Sequence, residues 1–236
     1  MNLLQIPTVA NDTLQQMAQQ VTTTVGTPET TINAFDLAIK GGWLMIVLFV
    51  MLLLSIYVLI ERILVIRSAG KEDDSFMNRI KDYIHEGKIE SALALCRKTD
   101  TPAARMVEKG ITRLGRPMSD ITEAIENVGN IEIAKLEKGL PILATTAAGA
   151  PMIGFLGTVT GMVKAFMSMA SAGVNVNVSI LSTGIYEALI TTVGGLIVGI
   201  IALFAYNYLT TQIKGIVNRM EMRIMEFMDI LNEPAI

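Results

Sequence analysis

Two charged residues and a set of threonines stand where polar chemistry is costly, inside an almost wholly apolar stretch from Leu140 to Gln212. Thr158, Thr160 and Lys164 lie on its first half, and Glu187, Thr191 and Thr192 on its second. Hydroxyls donate and accept hydrogen bonds without titrating in a useful range, so the threonines can order water or hold a carboxylate. A carboxylate deep in a membrane span costs at least about 2.5 to 3.5 kcal/mol, so Glu187 should face protein or water. That makes Glu187 a candidate for proton transfer or partner contact. The alternatives are a structural charge pair with Lys164 and a bond to a backbone group. Membrane threonines commonly bond back to their own helix, and that alternative stands for all four.

The small residues around these groups are spaced for close helix packing. Gly157-x-x-x-Gly161 and Gly195-x-x-x-Gly199 each place two glycines one turn apart, which lets backbones approach. Ala147, Ala148, Gly149, Gly154 and Gly194 extend the effect. Ordinary packing accounts for these glycines and is compatible with a pore wall. Taking the turn of the hairpin near Val174, Thr158 is about 16 residues from it on one arm and Thr192 about 18 on the other. The two hydroxyls should then share a level within about 3 Å, near the middle of a bilayer. Lys164 and Glu187, about 10 and 13 residues from the turn, should stand closer to the outside.

These residues need a membrane scaffold, and the composition supplies one. The 236-residue chain has a mean hydropathy of +0.49, is 51% hydrophobic and only 17% charged, which points to an integral membrane protein. The first span is charge-free from Gly41 to Ile60, long enough to cross about 30 Å of hydrocarbon. Trp43 and Tyr57 stand near its ends, where amphipathic rings favour the interface. Before it comes only Lys40, whereas Arg62, Arg67 and Lys71 follow it, so the N-terminus is expected outside and the C-terminus inside.

The expected layout is all-α with three transmembrane helices. It runs as a periplasmic segment (1–40), first span (41–66), cytoplasmic helical region (67–139) and second span (140–168). A periplasmic turn (169–179), third span (180–211) and cytoplasmic C-terminal helix (212–236) complete it. Leu14, Met17 and Val21 allow a short amphipathic helix in the first segment. In the cytoplasmic region Gly87, Asp100-Thr101-Pro102 and Gly115-Arg116-Pro117 should separate short helices. Ile121, Ile125, Val128 and Ile131 then continue at helical spacing toward the second span. One long helix is expected there, kinked at Pro141 or Pro151.

Several classes are excluded or disfavoured. A net charge of −3 gives no reason to expect nucleic-acid binding. One cysteine, Cys96, and one histidine, His85, rule out an internal disulfide and make a Cys/His zinc site implausible, so both are assigned packing or surface roles. No phosphate-binding loop or nucleophile–base pair is present, and neither an enzyme nor a cofactor is expected. Residues 1–35 carry no Lys or Arg, so no secretory signal is expected.

A proton relay wants a titratable group at mid-membrane. The residues place hydroxyls there and a carboxylate nearer the outside, so either Glu187 serves or a partner brings an acid. At these positions the chain resembles the ExbB/TolQ/MotA family of proton-channel proteins, nearest to ExbB, the biopolymer transport protein of the TonB system. The resemblance is carried by Gly154-Phe155-Leu156-Gly157-Thr158-Val159-x-Gly161-Met162-x-x-x-Phe166 and Glu187-Ala188-Leu189-x-x-Thr192-x-x-Gly195-Leu196. It implies a homopentamer in the bacterial inner membrane, surrounding a dimer of single-span ExbD-like partners that supply an intramembrane Asp. It further implies a motor driven by proton-motive force that energises a TonB-like protein and, through it, outer-membrane transport. Thr158 and Thr192 match the family's pore-lining threonines and Glu187 its third-span glutamate, with Thr191 beside them. Three spans favour ExbB or TolQ over the four-span MotA. Lys164 departs from the uncharged polar residue expected of the family. The alternatives are a TolQ-like stator for cell-envelope maintenance and a membrane scaffold that conducts nothing. The Met-rich tail (Met220, Met222, Met225, Met228) permits the scaffold.

Overall fold

The computed structural model describes residues 42–70, 75–171 and 178–232, all within one compact unit, Ala38–Ile236. The expected N-terminal segment and amphipathic helix, and most of the turn at 169–179, lie outside the described residues. The described chain is all-helical: α1 (Gly42–Ala69), α2 (Phe76–His85), α3 (Ile89–Thr99), α4 (Pro102–Ile111), α5 (Met118–Glu137), α6 (Leu140–Ser171) and α7 (Val178–Asn232). Three of these, α1, α6 and α7, are long and apolar enough to cross a membrane.

The membrane helices are apolar on the outside. Phe49, Leu53, Tyr57, Phe155 and Phe204 are exposed, as expected where lipid or another subunit replaces water. The helices meet through small residues. α6 and α7 form an antiparallel pair, the most extensive helix contact in the chain. The seam glycines mark sites where a side chain would collide: a Cβ on Gly154 would stand 3.0 Å from the Thr191 carbonyl oxygen, and one on Gly161 2.9 Å from the Ala188 Cβ. A Cβ on Gly199 would meet the Pro151 ring at 2.6 Å. Pro151 lacks an N–H and cannot bond Ala147, yet α6 runs helical through it, with the ring seated on Gly199. α1 lies across the pair, with Leu48 packed in a small cluster with Ala150 and Val198.

The shorter helices α2 to α5, outside the three apolar spans, have a conventional core with α7. Phe76, Ile80, Cys96, Val107, Ile111 and Ile125 are buried against Leu209, Ile213, Ile216, Met220 and Phe227 of α7. The breakers lie between these helices as their chemistry requires. Gly87 and Gly115 take positive φ. Thr101 caps α4, its hydroxyl accepting from the Ala104 N–H at 3.3 Å with Pro102 at the first turn.

The expected long helix from cytoplasm into membrane is not continuous. α5 ends at Glu137, Lys138 is extended (ψ 127°), and Gly139 takes φ +89° before α6 begins. Gly139 supplies a left-handed conformation that most residues avoid. Lys138 leaves the α region without help from a proline, and the Ile142 N–H bonds back to the Gly139 carbonyl at 3.1 Å. The break therefore precedes both prolines. The third apolar stretch and the tail, in contrast, form one unbroken 55-residue helix.

Candidate functional site at the α6–α7 seam

The seam is built from facing pairs. Gly154 meets Thr192 and Gly195, Gly157 meets Thr191, Gly161 meets Ala188 and Gly184, and Ala165 meets Gly184. Antiparallel pairing of this kind puts Thr158 and Thr192 within about two residues of each other in level, or about 3 Å. Gly184 and Ala165 belong to the seam but were not singled out from the sequence, and Ala188 figured there only within the Glu187 motif. The four-residue spacing of Gly184 and Ala188 was the available signal.

The hydroxyls differ in what they bond. Thr158 donates to the Phe155 carbonyl of its own helix at 2.6 Å, and Thr160 donates to the Leu156 carbonyl at 2.9 Å. Buried Thr191 donates to the Glu187 carbonyl at 2.8 Å. Thr192 reaches across, donating to the Gly154 carbonyl at 3.0 Å. Thr158, Thr160 and Thr191 each donate to their own helix, and Thr192 ties the two arms together. The approach is close because a residue larger than glycine at 154 would strike the Thr192 Cα at 3.1 Å.

α1 gives a second ruler for depth. A Cβ on Gly42 would stand 2.5 Å from Oε1 of Glu187, Met45 lies against Gly194, Met51 against Gly149, and Val58 against Gly139. Glu187 is therefore level with the first described residue of α1, next to the exposed Trp43. The middle of the charge-free run of α1 faces Gly149 and Ala150, and the threonine tier lies toward its Gly42 end. Counting from the turn alone put the threonines near mid-membrane, and against the charge-free run of α1 they stand nearer its Gly42 end. The α6–α7 hairpin extends well past Gly42, so counting from its tip overstates depth. A carboxylate beside an interfacial tryptophan costs less than one at the bilayer centre.

Lys164 and Glu187 line one narrow crevice with Gly42, Trp43, Thr160 and Thr191, with room for about one water molecule. Among the described residues, no ion pair within 4.0 Å joins Lys164 to Glu187.

A second polar cluster lies at the other end of α1. Arg62, only 4% exposed, donates from Nη1 to the Lys135 carbonyl at 2.9 Å and is paired with its neighbour Glu61. Glu132 is buried between Arg105 (2.6 Å) and Lys135 (2.7 Å), and Arg105 reaches Asp100 at 2.5 Å. Burial alone would push the Glu132 carboxyl up, but the bonds from Arg105 and Lys135 outweigh it and hold the group below the usual carboxylate range. The sequence used Arg62 only to orient the chain, because its partner is a backbone carbonyl 73 residues away. Burial pushes the Cys96 thiol up to about 12, which suits a packing role. Among the described residues no group of His, Cys, Asp and Glu could hold a metal.

Comparison with known proteins adds an independent line. Residues 98–222 match the MotA/TolQ/ExbB proton channel family. The Tol-Pal system protein TolQ of Haemophilus influenzae is 32% identical over 219 residues, spanning 86% of this chain and 96% of that protein. A putative biopolymer transport protein ExbB homolog of Methanothermobacter thermautotrophicus is 31% identical over 143 residues, 61% of this chain. The match spans about half (50%) of that archaeal protein's length. The TolQ of Pseudomonas aeruginosa is 29% identical over 177 residues, 70% of this chain and 76% of its own.

Proposed function

Because the chain belongs to the MotA/TolQ/ExbB proton channel family, we propose that its α6–α7 seam is the hydroxyl-lined wall of a proton path in an inner-membrane motor driven by proton-motive force. The observation that carries this reading is the Thr192 bond to the Gly154 carbonyl, with Thr158 at nearly the same level. Each hydroxyl has already given its one proton to a carbonyl. What remains are oxygen lone pairs, so the tier accepts hydrogen bonds from water or from a protonated carboxyl group. Such a tier suits an acid that travels protonated and is supplied by a partner helix. We assign that acid to the intramembrane Asp of an ExbD-like single-span dimer held within a pentamer of this chain, with Glu187 and Thr191 at the outer mouth. The N-terminus lies in the periplasm and the C-terminal helix in the cytoplasm. A TonB-like transducer is the energised partner.

A TolQ-like role in cell-envelope maintenance is the second reading. It is favoured by the near end-to-end match to the Haemophilus influenzae TolQ, where the archaeal ExbB homolog matches over a shorter stretch. Both readings predict proton flux when the chain is reconstituted with its single-span partner in liposomes. Thr192→Val should abolish most of that flux while assembly is retained, and Thr192→Ser should keep it. Wild-type flux in a Thr158→Val/Thr192→Val double variant would remove the pore assignment. No flux from the wild-type pair would leave the scaffold reading in its place.

A further inference from the structure

The foot of the pore arm is held by a side chain to which no role has been given. α5 stops at Glu137, so the carbonyls of its last turn lack the amides of a continuing helix. The Arg62 guanidinium supplies one of those missing donors, to the Lys135 carbonyl, and brings positive charge to the negative end of the α5 dipole. Glu61 holds the guanidinium from its other side: Nε donates to Oε2 at 3.2 Å and Nη2 to Oε1. One turn earlier on α1, Val58 packs on the elbow itself, 3.1 Å from where a Cβ of Gly139 would stand. α1 therefore grips the elbow at two points, the end of α5 and the glycine. Lys135 in turn bonds Glu132, Glu132 bonds Arg105, and Arg105 bonds both the Asp100 carbonyl and its carboxylate. An unbroken polar chain runs from the base of the first span to the α3–α4 corner.

We propose that Arg62 is a positioning residue for proton conduction: by capping α5 it fixes the elbow angle and so sets where α6 meets α7. The proposal rests on reading α6 as a pore arm. Leverage makes the angle matter. Gly154 lies about 15 residues beyond Gly139, or about 22 Å along α6. A tilt of about 2° at the elbow would move it by about 0.8 Å, enough to carry the 3.0 Å Thr192 bond past hydrogen-bonding range.

The test uses the full chain with its single-span partner in liposomes. Spin labels on the exposed positions Glu126 of α5 and Met152 of α6 report the elbow, with labelled chains diluted into unlabelled ones. Arg62→Met keeps the length and removes the donors. It should shift or broaden the distance distribution and lower proton flux by about tenfold or more. Arg62→Lys, which keeps one charged donor, should recover part of both. Gly139→Ala perturbs the same elbow from the other side and should act in the same direction, so the proposal survives a variant that fails to fold. Gly110→Ala crowds Phe227 in the cytoplasmic core, away from the elbow, and should lower stability without the flux loss. An unchanged distance distribution in both Arg62→Met and Gly139→Ala overturns the proposal, and so does a shifted distribution with wild-type flux. A wild-type chain that conducts nothing overturns the pore reading instead, and the distances still report whether Arg62 sets the elbow.

Discussion

Gly195→Ala tests whether the α6–α7 seam is as tight as its geometry states. A Cβ at 195 would stand 2.5 Å from the Ala150 carbonyl oxygen, 2.9 Å from the Gly154 Cα and 3.1 Å from the Gly154 nitrogen. All three are backbone atoms of a helix, so no side chain can swing aside. Restoring ordinary contacts of about 3.5 Å needs a local separation of about 0.6 to 1 Å. The Thr192 bond to Gly154, next to this contact, would stretch from 3.0 Å to beyond 3.5 Å. Overpacking of this kind costs about 1 to 3 kcal/mol, and the lost bond about 0.5 to 1.5. Both arise from one displacement and do not add fully. Alanine also gains about 0.5 to 1 kcal/mol over glycine in a helix. A net loss of about 1 to 3 kcal/mol remains. Gly215→Ala is the internal control: it lies in the same helix and nothing stands within 4 Å of its Cβ position. It should gain about 0.5 to 1 kcal/mol. Unfolding in bicelles followed by circular dichroism reads both. Equal effects of the two substitutions would refute the close seam and the inter-arm bond that depends on it.

Two further predictions concern α4 and α5. Glu132 has a folded pKa held below its ordinary value of 4.5, so its contribution is fully present above about pH 4.5 and is lost as pH falls through the lower folded value. Melting temperatures taken from neutral to acid pH should therefore fall more steeply for wild type than for Glu132→Gln, and parallel curves would exclude the buried Arg105–Glu132–Lys135 cluster as a source of acid sensitivity. Removing the α4 cap with Thr101→Ala should cost about 1 kcal/mol, whereas Thr101→Ser should be nearly neutral; thermal melts that rank the two alike would show that the Ala104 bond contributes nothing.

Some of this arrangement was written locally in the sequence. Charge-free runs, the breakers at Gly87, Asp100–Pro102 and Gly115–Pro117, and the four-residue glycine spacings are properties of neighbouring residues. The level of Thr158 against Thr192 follows from counting around one turn. Other features depend on partners distant in sequence. The apolar period of Ile121, Ile125 and Val128 runs on toward the second span, and nothing in it marks Lys138 as the residue that leaves the helix. The kink was expected at Pro141 or Pro151. Pro141 sits in the first turn of α6, where a missing N–H is not needed, so the glycine carries the bend. Hydroxyl directions were equally hidden, since a threonine bonds its own helix or the next according to how close the neighbour comes. The Arg62 contact has a backbone acceptor, and a carbonyl has no sequence signature.

The two arms of the hairpin are not equivalent. α7 has no proline and no glycine of positive φ among its described residues. It contributes to both cores, through Gly195 and Gly199 at the seam and through Leu209 to Phe227 below it. Displacing α7 would disturb both at once. α6 follows α5 through Lys138 and Gly139, and its Leu140 and Leu143 share the core of α2–α5 and lower α7. Farther on, its seam with α7 is formed mainly by small residues, with Pro151 on Gly199 and the Thr192 hydroxyl bond. Small residues give close approach but few interlocking side chains to resist a slight tilt. Movement within this chain should therefore concentrate in α6, with α7 as the fixed reference. Labels placed on α7 above and below Leu209 should keep their separation in every variant that changes the elbow. A matching change along α7 would mean that the whole hairpin swings as one body, and the elbow would then not be where the angle is set.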